Sequence, residues 1–263
     1  MQKKRADVLL YEKDLADSRE KAKRLIMEGV VYVGEVKVEK PGELYSDETM
    51  FIVKSNPLKY VSRGGLKLEK AIENFKLDLV DKICMDIGAS TGGFTDCMLQ
   101  SGAKKVYAVD VGYGQLDWKI RNDYRVVVLE RTNIRKLDTD AIKDKIDFIS
   151  IDVSFISLEL VLPVAEKLLS DDGTIIALIK PQFEAGKGKV GKKGIVKDRE
   201  IHLETINKVI DFSKTIGLYA KNLTYSPIKG TTGNIEFLIM LSKKEGLMSC
   251  NAEEVVLNAH EKL

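Results

Sequence analysis

The stretch "KICMDIGASTGGFTDCMLQSG", residues 82–102, decides the fold. Its apolar start predicts a buried strand, "DIGASTGGF" (86–94) a glycine-rich turn, and "TDCMLQSG" (95–102) a helix. Glycines in such a turn allow positive φ and let the backbone approach a ligand closely. The next strand ends at Asp110, 22 residues beyond Gly88, where an acid can accept hydrogen bonds from ribose hydroxyls. This order of elements indicates a site for a cofactor that contains adenosine.

The loop does not fit the dinucleotide-binding fingerprint. The pattern G-x-G-x-x-G requires glycine at position 90, which is Ser90 in this chain. Residues 88–93 instead fit the cofactor loop of methyltransferases that use S-adenosylmethionine (SAM). A strand-to-helix turn that binds no ligand is the alternative interpretation.

Outward from this stretch, apolar strands alternate with periodic helices from Tyr60 onward. We predict seven strands, which are "KICMDIG", "KVYAVDVG", "RVVVLE", "DFISIDVS", "TIIALIK", "YAKNLTYS" and "EFLIMLS". The clearest helix spans residues 157–170, where apolar side chains recur at helical spacing. The pattern predicts the α/β class, with a doubly wound, mostly parallel, seven-stranded Rossmann-like methyltransferase sheet. Such sheets bind ligands at the carboxyl ends of their strands.

Residues 1–54 have a different pattern and predict a small N-terminal α+β domain. Ser18 is placed to cap a helix that Gly29 ends, and the pair 34–35 predicts a hairpin turn. "MFIVK" (50–54) predicts another strand. The remaining predicted boundaries are a linker at 55–61, a methyltransferase domain at 62–245 and a helical tail at 246–263.

Composition excludes several classes of protein. The 263 residues are 44% hydrophobic and 31% charged, with a net charge of +2, which is typical of an ordinary globular protein. The longest apolar runs fall far short of the roughly 18 residues of a membrane span. Three scattered cysteines and two histidines predict neither a disulfide framework nor a metal site. We therefore expect a cytoplasmic protein without a metal, and the sequence suggests no protein partner.

A glycine- and lysine-rich run, "GKGKVGKKG" (186–194), indicates contact with a phosphate. It reproduces most of the P-loop pattern, but Lys193 occupies the Ser/Thr position and "GIVKD" (194–198) does not predict a helix start. We therefore favour contact with the backbone phosphates of a nucleic acid over contact with a bound nucleotide. A solvated surface loop remains the alternative.

Five segments carry a resemblance to a known family: "DIGASTGGF", "DVGYGQLDWKIRND", "VVVLERTNIR", "DVSFISL" and "KPQFEAGKGKVG". Along nearly its whole length, to "GNIEFLIML", the chain resembles the TlyA family. These haemolysin-named proteins are understood as rRNA ribose 2′-O-methyltransferases whose catalytic domain is related to the FtsJ type. The resemblance implies SAM as cofactor, a ribose of ribosomal RNA (a cytidine) as target, and ribosomal RNA or ribosomal subunits as partner. It also implies that the N-terminal domain is an RNA-binding module.

The resemblance further implies a catalytic tetrad of Lys67, Asp152, Lys180 and Glu236. Asp152 and Lys180 each end an apolar strand, where a doubly wound sheet exposes its site. A lysine that is partly desolvated or held near another cation can act as a base toward a ribose hydroxyl. We assign this role to Lys180, oriented by the two carboxylates, while Lys67 adds positive charge. A solvated surface charge is the alternative for each lysine taken alone.

Two further sets of residues are predicted to bind ligands. The cofactor set comprises Asp86, Gly88, Ala89, Ser90, Thr91, Gly92, Gly93, Phe94, Asp110, Asn133 and Asp152. The RNA set comprises Arg5, Arg19, Lys23, Arg63, Lys187, Lys189, Lys192 and Lys193. Arg19 and Lys23 lie one helical turn apart, which suits phosphate contacts that do not depend on base sequence. A solvated amphipathic helix face is the alternative, because Asp17 and Glu20 are interspersed.

Two other functions stay open at this point. One is a non-catalytic RNA-binding or ribosome-assembly factor with a vestigial SAM site, which the complete tetrad disfavours. The other is a membrane-lytic protein, as the haemolysin name suggests, but no strongly amphipathic cationic helix supports it.

Overall fold

The computed structural model describes residues 3–53, 59–186, 188–191 and 193–263. The chain forms two compact units, Met1–Leu58 and Lys59–Leu263. The predicted linker at 55–61 therefore lies largely outside the described residues.

The N-terminal unit is a small α+β structure. Its elements are β1 (Lys3–Arg5), α1 (Ala6–Glu12), α2 (Arg19–Glu28), β2 (Val31–Val33), β3 (Val36–Lys37), β4 (Leu44–Ser46) and β5 (Phe51–Val53). β1 pairs with β4, and β2 pairs with β3 and β5, all antiparallel. The predicted helix and hairpin are confirmed: Ser18 Oγ accepts a hydrogen bond from Lys21 N at 3.1 Å, and Gly29 ends α2 in the left-handed conformation with φ of 74°.

Among residues 3–53, one apolar cluster forms the core of this unit. Helices α1 and α2 bury one face each against the strands, which gives a core of Ala6, Leu9, Leu10, Ala16, Ala22, Ile26, Val31, Val38 and Phe51. The polar face of α2 remains exposed, as expected for an amphipathic helix, whereas α1 buries Asp7 together with its apolar residues.

The second unit is a seven-stranded α/β sheet. Its elements are α3 (Gly65–Phe75), β6 (Ile83–Ile87), α4 (Gly93–Gln100), β7 (Lys105–Val109), α5 (Trp118–Arg121), β8 (Val126–Leu129), β9 (Ile146–Ile151), α6 (Leu162–Leu168), β10 (Leu169–Ile179), α7 (Pro181–Glu184), α8 (Arg199–Thr215), β11 (Tyr219–Tyr225), β12 (Phe237–Ser242) and α9 (Ala252–Lys262). The strand order is β11-β12-β10-β9-β6-β7-β8. The five strands from β10 to β8 are parallel, whereas β12 is antiparallel to both of its neighbours. The predicted fold class and all seven strands are confirmed.

Both faces of the sheet are buried, which explains why its strands read as continuous apolar runs. On one face, α3 and α4 pack against side chains such as Cys84 and Phe148. On the other face, α6, α8 and α9 pack against Met85 and Ile149. Alternate residues of each strand therefore contribute to two separate cores.

The predicted helix at 157–170 is wrong in its bounds. A 3-10 turn (Leu158–Leu160) comes first, α6 begins at Leu162, and its last predicted residues already belong to β10. Pro163 lies in the first turn of α6 and has no N–H to donate to the preceding turn, so a continuous helix cannot pass through it. Apolar spacing alone does not reveal this break.

The C-terminal helix α9 is part of the second unit. Asn251 caps it by accepting a hydrogen bond from Glu253 N at 2.8 Å. Ala252, Val256 and Ala259 join the core on the side of α8 and β11. No helix in the described part of the chain is both long enough and apolar enough to cross a membrane.

The side chain of Asp86, on β6, is buried between the sheet and α4. It is fully buried, and its carboxyl oxygens accept hydrogen bonds from Thr95 Oγ1 of α4 at 2.7 Å and from Ser150 Oγ of β9 at 3.0 Å. Burial raises the pKa of Asp86 to about 7, and the two hydroxyl donors only partly oppose this shift. Asp86 therefore braces β6 against its neighbours.

We predict that Asp86→Asn changes how stability depends on pH. A folded-state pKa of about 7 lies above the ordinary 3.8, so the contribution of Asp86 to stability decreases as the pH rises from about 4 to about 7. Asparagine stays neutral throughout this range. The melting temperature of the wild type relative to Asp86→Asn should therefore fall across this window and level off above it. Parallel melting curves would contradict this account, and Asp78→Asn, at an exposed position, is the control.

Candidate active site

Asp152, directly after β9, lies between two lysines. Its Oδ1 is 2.6 Å from the Nζ of Lys180, and its Oδ2 is 3.9 Å from the Nζ of Lys67. Lys180 directly follows β10, the parallel neighbour of β9, so both residues lie at the carboxyl edge of the sheet. Both lysines are only 8% exposed.

Glu236 directly precedes β12 and completes the cluster. Its Oε2 accepts a hydrogen bond from Lys67 Nζ at 2.6 Å, and the residue is 2% exposed. Because β12 runs antiparallel to β10, with Phe237 opposite Ile179, the start of β12 lies at the edge where β10 ends. The structure thus brings all four predicted tetrad residues together.

The cluster is electrically balanced. Two ammonium groups face two carboxylates, and burial disfavours any unpaired charge. Removing one member leaves a buried charge without its partner, which costs several kcal/mol in general (about 3–5 kcal/mol). Each member of the tetrad therefore helps to keep the others in place.

Ser154 also contacts the tetrad and was missed by the sequence analysis. Its Oγ accepts a hydrogen bond from Lys180 Nζ at 3.0 Å. Ser154 lies two residues beyond Asp152, in "DVSFIS", but nothing in that segment reveals which side chain turns toward Lys180. Ser154 thus gives the amine a directed hydrogen bond in addition to its ion pair with Asp152.

A cavity of about 450 Å³ opens at the same edge of the sheet, a volume suited to a small-molecule ligand. Five of the predicted cofactor residues line it: Gly88, Ser90, Asp110, Asn133 and Asp152. Lining residues that were not predicted include Gln115, Thr132, Ser154, Phe155 and Ile156. The cavity thus shares Asp152 with the tetrad.

Asp110 holds the loop 88–93 and the segment after β7 in place at the cavity. Its Oδ2 accepts a hydrogen bond from Ser90 N and its Oδ1 one from Gly112 N, both at 2.7 Å. Each carboxylate oxygen can accept a further hydrogen bond. Ser90 has a φ of 48°, a conformation that this bond to Asp110 helps to hold.

The other predicted cofactor residues do not line the cavity. They are Asp86, Ala89, Thr91, Gly92, Gly93 and Phe94. The Asp86 side chain is buried between the sheet and α4. The loop beyond Ser90 turns away to start α4, so Phe94 packs into the core with 4% exposure. A Cβ on Gly93 would collide with Ser62 Oγ and lie 2.9 Å from Gly65 N, which shows that this glycine serves the packing of α3.

Phe155 stands out at the rim of the cavity. The side chain is 90% exposed, and the residue has a φ of 63°, which is uncommon for a bulky residue. Its ring centroid lies 5.0 Å from that of Phe183. The aromatic residue is visible in the sequence, but its left-handed backbone is not.

The predicted RNA-binding residues of the N-terminal unit are partly paired. Arg5 donates two hydrogen bonds to the buried Asp7, at 2.9 and 3.0 Å, and Arg19 lies 3.6 Å from the same carboxylate. Lys23 pairs with Glu20 at 3.1 Å. Arg5, Lys23 and Lys40 line a shallow groove with Glu39 and Glu43. The three predicted cations remain 41–49% exposed.

The predicted RNA-binding residues of the second unit differ in their surroundings. Arg63 and Lys193 are exposed, and Lys189 pairs with Glu204. Lys187 and Lys192 lie outside the described residues. A P-loop would need a helix directly after Lys193, but α8 begins only at Arg199, so this interpretation is wrong.

Comparison with known proteins identifies relatives of both units. Residues 60–243 match the profile of the FtsJ-like methyltransferase family, and residues 4–50 match the S4 domain.

Individual relatives span nearly the whole chain. YqxC of Bacillus subtilis (strain 168), named as a candidate rRNA methyltransferase, is 57% identical over 91% of this chain and 85% of its own length. The 16S/23S rRNA (cytidine-2'-O)-methyltransferase TlyA of Mycobacterium tuberculosis is 43% identical over 90% of this chain and 89% of its own. A solved structure of a hemolysin-named protein from Streptococcus thermophilus superposes with a TM-score of 0.79 at 48% identity, covering 100% of this chain and 97% of the other.

Gly88→Ala tests the close approach of the cavity loop to β9. A Cβ on Gly88 would lie 2.5 Å from the carbonyl oxygen of Asp152, and its φ of 89° already disfavours a side chain. Gly217→Ala is a matched control, because Gly217 has a φ of 77° and open space around its Cβ position. We expect the control to lose about 1–2 kcal/mol of stability from the backbone alone. Gly88→Ala should lose more, and its SAM affinity in calorimetry should fall at least about tenfold, whereas equal losses in the two variants would contradict the contact.

Proposed function

The chain belongs to the FtsJ-like methyltransferase family, and we propose that it transfers a methyl group from SAM to a cytidine ribose 2′-hydroxyl of ribosomal RNA. The observation that carries this proposal is the convergence of Lys67, Asp152, Lys180 and Glu236 beside a ligand-sized cavity. The name of the Mycobacterium tuberculosis relative supports both the cytidine and the ribosomal substrate. The complete tetrad favours an enzyme over a non-catalytic assembly factor.

The residues of the cavity fit the cofactor. Gly88 lets the loop lie close to the backbone of Asp152. The Asp110 carboxylate can still accept hydrogen bonds from ribose hydroxyls. Asp152 and Ser154 join the cavity to the tetrad. When bound, SAM supplies an electrophilic methyl group on a positively charged sulfur.

Lys180 is proposed to act on the ribose hydroxyl. The amine donates one hydrogen bond to Ser154 at 3.0 Å and forms an ion pair with Asp152 at 2.6 Å, so it keeps hydrogen-bonding capacity for the substrate. A neutral amine can take the hydroxyl proton, and a charged one can stabilise the alkoxide that develops as the oxygen attacks the methyl carbon. Lys67, paired with Glu236, keeps Asp152 between two cations. The four residues would thus act mainly by positioning the ribose oxygen in line with the methyl carbon and the sulfur.

RNA binding is proposed to involve both units. The S4 domain offers Arg5, Arg19 and Lys23 for phosphate contacts. In the second unit, the lysine-rich run at 186–194 begins six residues after Lys180 and would hold the RNA backbone near the target. The exposed ring of Phe155 offers a stacking face for an unpaired base.

The function is tested by mapping ribose methylation of ribosomal RNA from cells with and without the gene. A 2′-O-methylcytidine that disappears with the gene supports the proposal. An unchanged methylation map, together with no methyl transfer from labelled SAM to ribosomal subunits in vitro, would refute it.

We predict that Lys180→Ala abolishes methyl transfer. General acid–base groups typically contribute about 10²- to 10⁴-fold, and we expect a loss in this range. SAM affinity should stay within a few fold, because Lys180 does not line the cavity. RNA affinity should also stay within a few fold, because it depends mainly on phosphate contacts made by other cations. The measurement is transfer of labelled methyl groups at saturating SAM and RNA. Lys243→Ala, which removes a lysine paired with Glu166 at 3.1 Å, should retain the wild-type rate, and unchanged turnover in Lys180→Ala would show that the base is misassigned.

Neutralising the lysine-rich run should weaken RNA binding and flatten its salt dependence. Replacing Lys187, Lys189, Lys192 and Lys193 by glutamine should lower the slope of log Kd against log salt by about 0.7–0.9 for each phosphate that the protein no longer neutralises. SAM affinity should not change. The control is glutamine at four exposed lysines of the opposite sheet edge, Lys82, Lys104, Lys143 and Lys145. Equal slopes in both sets would contradict the role of the run.

A further inference from the structure

Glu184 joins the two segments that leave the active site. It lies at the end of α7, which directly follows Lys180. Its carboxylate accepts hydrogen bonds from Leu158 N at 2.6 Å and from Ser157 Oγ at 2.7 Å, and the residue is 3% exposed. Leu158 and Ser157 end the segment 153–158, which follows Asp152. We call this set of contacts the Glu184 clasp.

Two more contacts join the same segments closer to the tetrad. Lys180 Nζ donates to Ser154 Oγ at 3.0 Å, and the rings of Phe183 and Phe155 lie 5.0 Å apart. The segment after Asp152 and the segment after Lys180 are therefore paired at three successive points. The clasp is the outermost of these points and the only one of the three that is made by a buried carboxylate.

Burying the Glu184 carboxylate has a desolvation cost that an apolar side chain at the same position would not have. Burial raises the pKa of Glu184, while the hydrogen bonds from Leu158 and Ser157 favour the ionised form. Lys208, a nearby cation, pairs with Glu159 at 3.3 Å and reaches only the main-chain oxygen of Glu184, at 3.4 Å. Apolar side chains fill such positions at lower cost, so the directed hydrogen bonds are what this residue supplies.

Phe155 shows why the segment needs to be held. Its left-handed backbone is unfavourable for a bulky residue and persists only where the surroundings enforce it. Ser154, which orients Lys180, is its immediate neighbour. The clasp fixes the far end of this short segment, two residues beyond Phe155.

We propose that Glu184 is a positioning residue for methyl transfer, which holds segment 153–158 so that Ser154 orients the Lys180 amine and Phe155 faces the cavity rim. This inference rests on the proposed function of the same site. Glu184 touches no reacting atom, and it acts through Ser154 and Phe155. Its loss should therefore lower the rate of the transfer step. SAM affinity should fall less, because Gly88, Asp110 and Asn133 on the other side of the cavity stay in place.

The test compares Glu184→Ala, Glu184→Gln and the control Glu166→Ala, which removes a partly exposed paired carboxylate. The single-turnover rate is measured at saturating SAM and RNA, well below the melting temperature of every variant. We expect Glu184→Ala to lose about 10- to 100-fold in rate, the scale of a small misplacement of catalytic groups, with SAM affinity within about fivefold. Glu184→Gln should restore most of the rate, because its amide can still bond both Leu158 N and Ser157 Oγ.

A second variant keeps the test informative if Glu184→Ala does not fold. Ser157→Ala removes one hydrogen bond of the clasp and should lower the rate several-fold (roughly the effect of one hydrogen bond). In a Ser154→Ala background the same change should have a smaller effect, because both act on the orientation of Lys180. A lowered melting temperature with a wild-type rate in these variants would overturn the proposal. An inactive wild type would instead refute the proposed function.

Discussion

The whole site depends on one carboxylate shared by two buried lysines. Asp152 faces Lys180 with one oxygen and Lys67 with the other, so it offsets the repulsion between two ammonium groups that water scarcely reaches. Glu236 supplies the second negative charge from β12. The same aspartate also lines the cavity, and its backbone lies against Gly88. The ion pairs of the cluster and the wall of the cavity therefore meet at a single residue in the middle of the sheet.

The direction of each strand decides the role of its acidic residue. Asp110 and Asp152 follow β7 and β9 and lie at the open edge, where they shape the cavity and the tetrad. Asp86 lies one residue before the end of β6, on the same face as Cys84, and its side chain meets α4 rather than the cavity. The same chemical group therefore lines the cavity at two positions and is buried against a helix at the third.

Much of the fold could be predicted from the sequence, because alternating apolar strands and periodic helices leave few arrangements. The tetrad was implied by resemblance, since no spacing connects Lys67 with Glu236. Asp86 was misplaced because its motif says nothing about side-chain direction, and Pro163 broke a helix whose apolar spacing was intact. The orientation of Ser154, the left-handed Phe155 and the buried Glu184 depend on contacts between distant segments. Such contacts leave no local pattern.

The ion pair between Lys67 and Glu236 joins residues 169 positions apart. Contacts of such long sequence separation form only after much of the chain has been brought together, because loop closure costs entropy first. During synthesis, α3 emerges long before β12, so Lys67 has no Glu236 to pair with until the last strand of the sheet has been made. The cluster of Lys67, Asp152, Lys180 and Glu236 therefore cannot be complete in the nascent polypeptide until β12 has joined the sheet.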